Sequence, residues 1–134
     1  KPFQGGMFGK KIKGLCFVNT QSGLKFKTKT GRPIYYSEGD EFEKYYFNKN
    51  AQIYSDKLSK FVLRCDEKSS GNVIDRASRL FPHIYIDEVQ DLAGYDLEIL
   101  KLLFKAKSSV SLVGDPRQVT YLTHHDKKYS QYKD

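Results

Sequence analysis

Apolar positions between residues 72 and 113 change period three times. Val73, Ile74, Ala77 and Leu80 recur at helical spacing behind Asn72, with Asp75 in the first turn, so this stretch predicts an amphipathic helix capped by Asn72. Pro82 stops that helix. His83-Ile84-Tyr85-Ile86 then reads as a buried strand, residues 95–106 as a returning helix, and Ser109-Val110-Ser111-Leu112-Val113 as a neighbouring parallel strand. Helix, strand, helix, strand is the local signature of a parallel α/β sheet covered by helices.

The first half follows other periods. Lys25, Lys27 and Lys29 alternate with Phe26, Thr28 and Thr30, which predicts a strand with one basic face. Residues 14–18 read as its partner strand, and residues 19–23 as the hairpin loop between them. Residues 37–47 suit a helix start with acids in the first turn, and residues 55–64 a second helix with Leu58, Phe61 and Val62 on one face. Tyr35, Tyr36, Tyr45, Tyr46 and Tyr54 fit a core or an interface more readily than a row of base-stacking rings. The charged, small, turn-prone run Asp66-Glu67-Lys68-Ser69-Ser70-Gly71 is the natural boundary. It separates a basic hairpin and helical region, residues 1–68, from an α/β region, residues 69–134. There is no internal repeat and no low-complexity segment.

The chemistry concentrates where the first parallel strand ends. Asp87 and Glu88 emerge at the carboxyl edge of the sheet, where open α/β sheets bind ligands. Adjacent acids there suit two tasks of a phosphoanhydride hydrolase: an oxygen ligand for Mg²⁺ and a base that orients and deprotonates water. The second strand delivers Asp115 and Gln118 to the same edge.

Asp87-Glu88-Val89-Gln90-Asp91 and Val113-Gly114-Asp115-Pro116-Arg117-Gln118 resemble the second and third motifs, DExQD and VGDxxQ, of the UvrD/Rep-like superfamily 1 DNA helicases. The resemblance is specific over residues 72–121. It implies a partial RecA-like P-loop NTPase domain with ATP and Mg²⁺ as cofactors and DNA, single-stranded or partly duplex, as partner. It further implies that Asp87 holds Mg²⁺, Glu88 activates water, Gln118 senses the γ-phosphate, and Gln90 and Asp91 link the nucleotide site to the DNA path. Asp91 and Asp115 serve equally well as turn caps. Relatives commonly carry an accessory subdomain inserted before the second motif, and residues 1–68 fall in that place. Tyr121 falls where the family has a Tyr, but no Trp follows to stack on single-stranded DNA; His124 and His125 stand there instead.

No segment reads G-x-x-x-x-G-K-[ST], the loop that cradles ATP phosphates. Gly5-Gly6-Met7-Phe8-Gly9-Lys10-Lys11 has the wrong glycine spacing and Lys11 where a hydroxyl is needed. The expectation is an interior fragment of a longer helicase, completed by the remainder of the chain with its second RecA-like domain and γ-phosphate arginines.

A length of 134 residues suits one compact domain. The net charge of +7 is loaded at the front, where Lys1, Lys10, Lys11, Lys13, Lys25, Lys27, Lys29 and Arg32 precede the first acid, Glu38. Such a block favours a polyanionic partner through counterion release; its other reading is a solvated edge strand that lysines guard against aggregation. No apolar run approaches membrane-helix length, and no signal-peptide pattern opens the chain. Cys16 and Cys65 lack CxxC or His partners, which predicts no metal site at the cysteines and two buried or half-buried thiols in a reducing cytoplasm.

Three functions follow. The first is an ATP-dependent DNA helicase or translocase, of which this chain supplies Mg²⁺ coordination, water activation and part of the DNA path. The second is a nucleic-acid-binding module whose degenerate nucleotide site no longer turns over. A metal nuclease built on Asp87 and Glu88 is weaker, because the acid-x-Lys element is missing and Glu98 and Lys101 stand three apart.

Overall fold

The computed structural model describes residues 11–115. The chain packs as two units that divide after Phe61.

In the first unit, β1 (Gly14–Cys16) pairs in parallel with β4 (Gln52–Tyr54), and β2 (Leu24–Lys27) pairs antiparallel with β3 (Pro33–Tyr35). Between β3 and β4 lies the short helix α1 (Phe42–Tyr46). Tyr46 is fully buried at the centre. Its ring stands 4.8 Å from Phe42, 4.8 Å from Tyr45 and 5.2 Å from Phe61, with tilted or edge-on geometry. Such pairs are favoured by the ring quadrupole and add to area burial. Tyr45 and Tyr46 are therefore core residues, while Tyr35, Tyr36 and Tyr54 are half-buried.

The hairpin differs from the sequence expectation. Residues 14–18 do not pair with the lysine strand, and residues 19–23 are not a hairpin loop. The backbone N–H of Val18 donates to Ser55 Oγ (3.1 Å), while the N–H and Oγ of Ser22 donate to the Asp56 carboxylate at 3.0 and 2.6 Å. These bonds lead the chain away from β1 towards the 3-10 turn Ser55–Lys57. The actual hairpin turn comes after β2, where Thr28 N–H donates to Arg32 O (2.8 Å), Arg32 N–H donates to Thr28 Oγ1 (3.0 Å) and Gly31 takes φ +82°. That left-handed position costs an L side chain about 1–2 kcal/mol. Lys29 accordingly lies in the turn, so only Lys25 and Lys27 belong to the strand. Both faces of β2 are open, with Leu24 and Phe26 about half exposed.

The predicted second helix is longer than residues 55–64: the 3-10 turn leads into α2 (Leu58–Lys68), inside which the chain divides. Residues 69–71 turn tightly within the second unit, with Gly71 N–H on Asp66 O (2.9 Å) and Gly71 at φ +84°. α3 (Asn72–Leu80) begins there. Asn72 is its first helical residue and does not cap it. Buried Asp66 does so from the preceding helix, its Oδ1 accepting the Ile74 N–H at 2.9 Å. A carboxylate at a helix start satisfies an orphan donor and complements the helix dipole.

β5 (His83–Ile86), α4 (Tyr95–Lys105) and β6 (Ser109–Leu112) form the predicted parallel βαβ arrangement. His83, Ile84, Tyr85 and Ile86 lie opposite Ser109, Val110, Ser111 and Leu112. The expectation that β5 is buried fails on one face: Ile84 and Ile86 are half-buried, but Tyr85 is 77% exposed. Within the described two-stranded sheet, alternate side chains point to opposite faces, and only one face is covered. Among the described residues no helix is long and apolar enough to cross a membrane.

Candidate functional site

The parallel pairing continues past the strands and builds the edge. Val113 N–H donates to Ile86 O (2.8 Å), and Val89 N–H donates back to Val113 O (3.1 Å). These two bonds lock residues 86–89 against residue 113 and bring Asp87, Glu88, Gln90 and Gly114 to one place. Val89–Asp91 forms a 3-10 turn, which redirects the chain after the acidic pair.

Glu88 has φ 52° and ψ 43°, a left-handed conformation that a non-glycine residue rarely adopts. Strain of this kind gathers at functional sites and persists where surrounding bonds over-determine it. Here the Glu88 N–H donates to Asp87 Oδ1 at 2.8 Å, and its Oε2 accepts a hydrogen bond from Gln90 Nε2. Both carboxylates are solvent-exposed. Gln90 Oε1 is buried without a hydrogen-bond partner among the described residues. Gly114 is packed so closely that a Cβ would overlap Gln90 Oε1 and lie 2.7 Å from Val89 Cγ1. Asp115 is half-buried at the same edge. Gln118 and Tyr121 lie outside the described residues, as do His124, His125 and the glycines of residues 5–9.

The donor set fits Mg²⁺ better than a fully caged ion. Among the described residues no group of three or more His, Cys, Asp or Glu gathers to hold a metal. Mg²⁺ takes one or two carboxylates and fills its octahedron with phosphate oxygens and water. Asp87 offers an exposed carboxylate at a strand end, with one oxygen already oriented by the Glu88 N–H. Cys16 is half-buried and Cys65 buried, both as free thiols; burial pushes the Cys65 thiol up from its ordinary value.

The lysine row is not brought to this edge's unit. Lys25 and Lys27 lie on β2 of the first unit, where the Lys25 ammonium stands 5.8 Å from the Tyr36 ring centre and the Lys44 ammonium 5.3 Å from it. Tyr36, Lys44 and Lys49 line an open cleft of about 340 Å³, which no periodicity or motif announces. A second feature missed from sequence surrounds Tyr45. Lys60 donates to Tyr45 Oη (3.0 Å) and pairs with Glu38 (2.9 Å), while buried Lys57 pairs with Asp56 (3.1 Å) and lies over the Tyr45 ring. Sequence does not reveal that Lys60 finds Tyr45 and Glu38, which stand 15 and more residues away.

Neither a curated protein nor a solved structure matches the chain significantly. The family model of the UvrD/REP helicase N-terminal domain matches residues 18–122. That span holds the edge just described and also reaches well into the first unit, further forward than the motifs alone indicated. With most of its length matched, the chain belongs to the UvrD/REP helicase N-terminal domain family.

Proposed function

We propose that this chain supplies the metal-binding and water-activating half of the ATP site of an ATP-dependent DNA helicase or translocase, within a partial RecA-like domain. The observation that carries this reading is the edge itself: Asp87 and a left-handed Glu88 at the end of β5, tied by backbone hydrogen bonds to Val113, which leads into Gly114 and Asp115 after β6. Family membership supports it.

In this reading Asp87 and Glu88 divide the labour. Asp87 is the Mg²⁺ ligand, and the ion, when bound, neutralises charge developing on the transferred phosphoryl group. Glu88 accepts a proton from the attacking water on its exposed carboxylate. Its left-handed backbone turns that carboxylate away from the path of the strand, and the Gln90 amide restricts its swing. Gln118 is the γ-phosphate sensor, and Gln90 and Asp91 stand between the nucleotide and DNA paths. Residues 1–68 act as the accessory region, with Lys25, Lys27 and Lys29 contacting phosphates, and in the second region Tyr121 stacks on a base.

The phosphate-cradling loop is not in this sequence. The isolated chain is therefore expected neither to hydrolyse ATP nor to bind it tightly. Turnover measured on this chain with Mg²⁺ and DNA, and lost on Asp87→Asn, would overturn that expectation of inactivity. In a helicase assembled around this domain, Asp87→Asn should abolish Mg²⁺-dependent turnover. Unchanged turnover and unchanged Mg²⁺ dependence would remove Asp87 from the site. The alternative, a DNA-binding module with a silent nucleotide site, predicts that the assembled protein binds DNA but shows no DNA-stimulated hydrolysis at all.

A further inference from the structure

We infer that Gln90 is a positioning residue that aims the Glu88 carboxylate, and that Gly114 is the seat against which the Gln90 amide is held. The inference rests on Glu88 being the base, and it adds a route by which the third-motif backbone controls that base.

Three observations converge on it. Gln90 Nε2 donates to Glu88 Oε2. An amide facing a carboxylate must present its NH₂, because an oxygen there would repel it. That orientation forces Oε1 inward, where it is buried and has no hydrogen-bond partner among the described residues. A buried unsatisfied acceptor is costly, and one in a native fold asks for an explanation. The explanation lies opposite: Gly114 leaves the space that Oε1 occupies, since a Cβ there would overlap it. The same Cβ would lie 3.1 Å from Val89 N, and that backbone cannot retreat without giving up its hydrogen bond to Val113 O.

The result is a short mechanical chain from the backbone at residues 113–114, through one amide, to the carboxylate. A shift of Gly114 towards β5 presses on Oε1 and rotates Nε2 off Glu88. A shift away lets the amide relax and releases Glu88 from its strained aim. Gln90 touches no reacting atom in this scheme; it acts through Glu88.

The test reads the Gln90 side-chain NH₂ signals in a ¹⁵N-labelled sample of this chain, assigned by their loss in Gln90→Leu. Glu88→Gln should shift those signals, and Gly114→Ala should shift them as well. No movement with Glu88→Gln overturns the amide–carboxylate link, and no movement with Gly114→Ala overturns the seat. Urea unfolding gives the second arm. Gly114→Ala should lower the midpoint in both backgrounds, and by less in Gln90→Ala, where the obstructing oxygen is gone and only Val89 still opposes the added methyl. Equal losses in both backgrounds would show that Gln90 is not the obstacle; should Gly114→Ala fail to fold in either, the response of the Gln90 NH₂ signals to Glu88→Gln decides the amide–carboxylate link. These readouts are independent of ATP turnover. If Glu88 proved not to be the base while the NMR shifts appeared, the reading of function would fall and the positioning geometry would stand.

Discussion

At Lys60, burial and hydrogen bonding oppose each other, and hydrogen bonding wins. Burial works against the ammonium, but its bonds to Tyr45 Oη and Glu38 more than offset that, so its pKa is raised above the usual lysine value. A group whose folded pKa is raised contributes stability that is complete below its unfolded pKa and disappears as pH climbs through the folded one. Lys60→Met should therefore destabilise the chain by about 1–3 kcal/mol at neutral pH, the usual range for stranding buried polar partners. The gap between wild type and variant should hold constant from pH 7 to the ordinary lysine value of 10.5 and narrow only beyond it. Urea unfolding across that range checks both statements; a gap that closes below pH 9 would mean that Lys60 is not held charged by these partners. None of this was readable from Lys60 alone, because Glu38 and Tyr45 reach it through tertiary packing.

Among the elements, the start of α3 shows where local rules yield to packing. Asn72 has the right chemistry and place for a cap, yet the N–H of Ile74 is taken by Asp66 from the previous helix. Asp66→Ala should cost about 1–2 kcal/mol, as lost caps do, while Asn72→Ala should cost less than about 0.5 kcal/mol. Equal costs in thermal or urea unfolding would return the cap to Asn72. The parallel βαβ arrangement was legible because helical and strand periods alternate cleanly around Pro82 and the acidic pair. The hairpin was not, because two turn-prone segments, residues 19–23 and 28–32, compete, and the alternation of lysines runs on into the second. The pairing of β1 with β4 across nearly forty residues left no periodic trace. The lysine row keeps a testable role. Replacing Lys25, Lys27 and Lys29 with Gln should flatten the salt dependence of DNA binding by up to about one unit of slope for each phosphate that a lysine no longer neutralises. With Lys29 in the turn, most of the change should come from Lys25 and Lys27. An unchanged affinity and slope would make the row a solvated edge.

For the molecule as a whole, the family match extends over both packing units, and the candidate chemistry sits in the second. The acidic pair and the Gly-Asp segment after β6 could be found from sequence because their spacing around one helix is local. The close approach of the Gln90 side chain to Gly114 could not, although both are motif positions, since motif spacing places backbone positions and does not say where a side chain packs. The function proposed for the edge turns on Glu88 acting on water rather than on the ground-state nucleotide. A base used only in the transition state affects turnover and spares binding. The decisive measurement is DNA-stimulated ATP turnover and ATP affinity, side by side, for Glu88→Gln in a helicase assembled around this domain. Turnover should fall by roughly 100-fold or more while the Kd for ATP stays close to that of the wild type; parallel losses of binding and turnover, or a turnover left intact, would contradict the role given to Glu88.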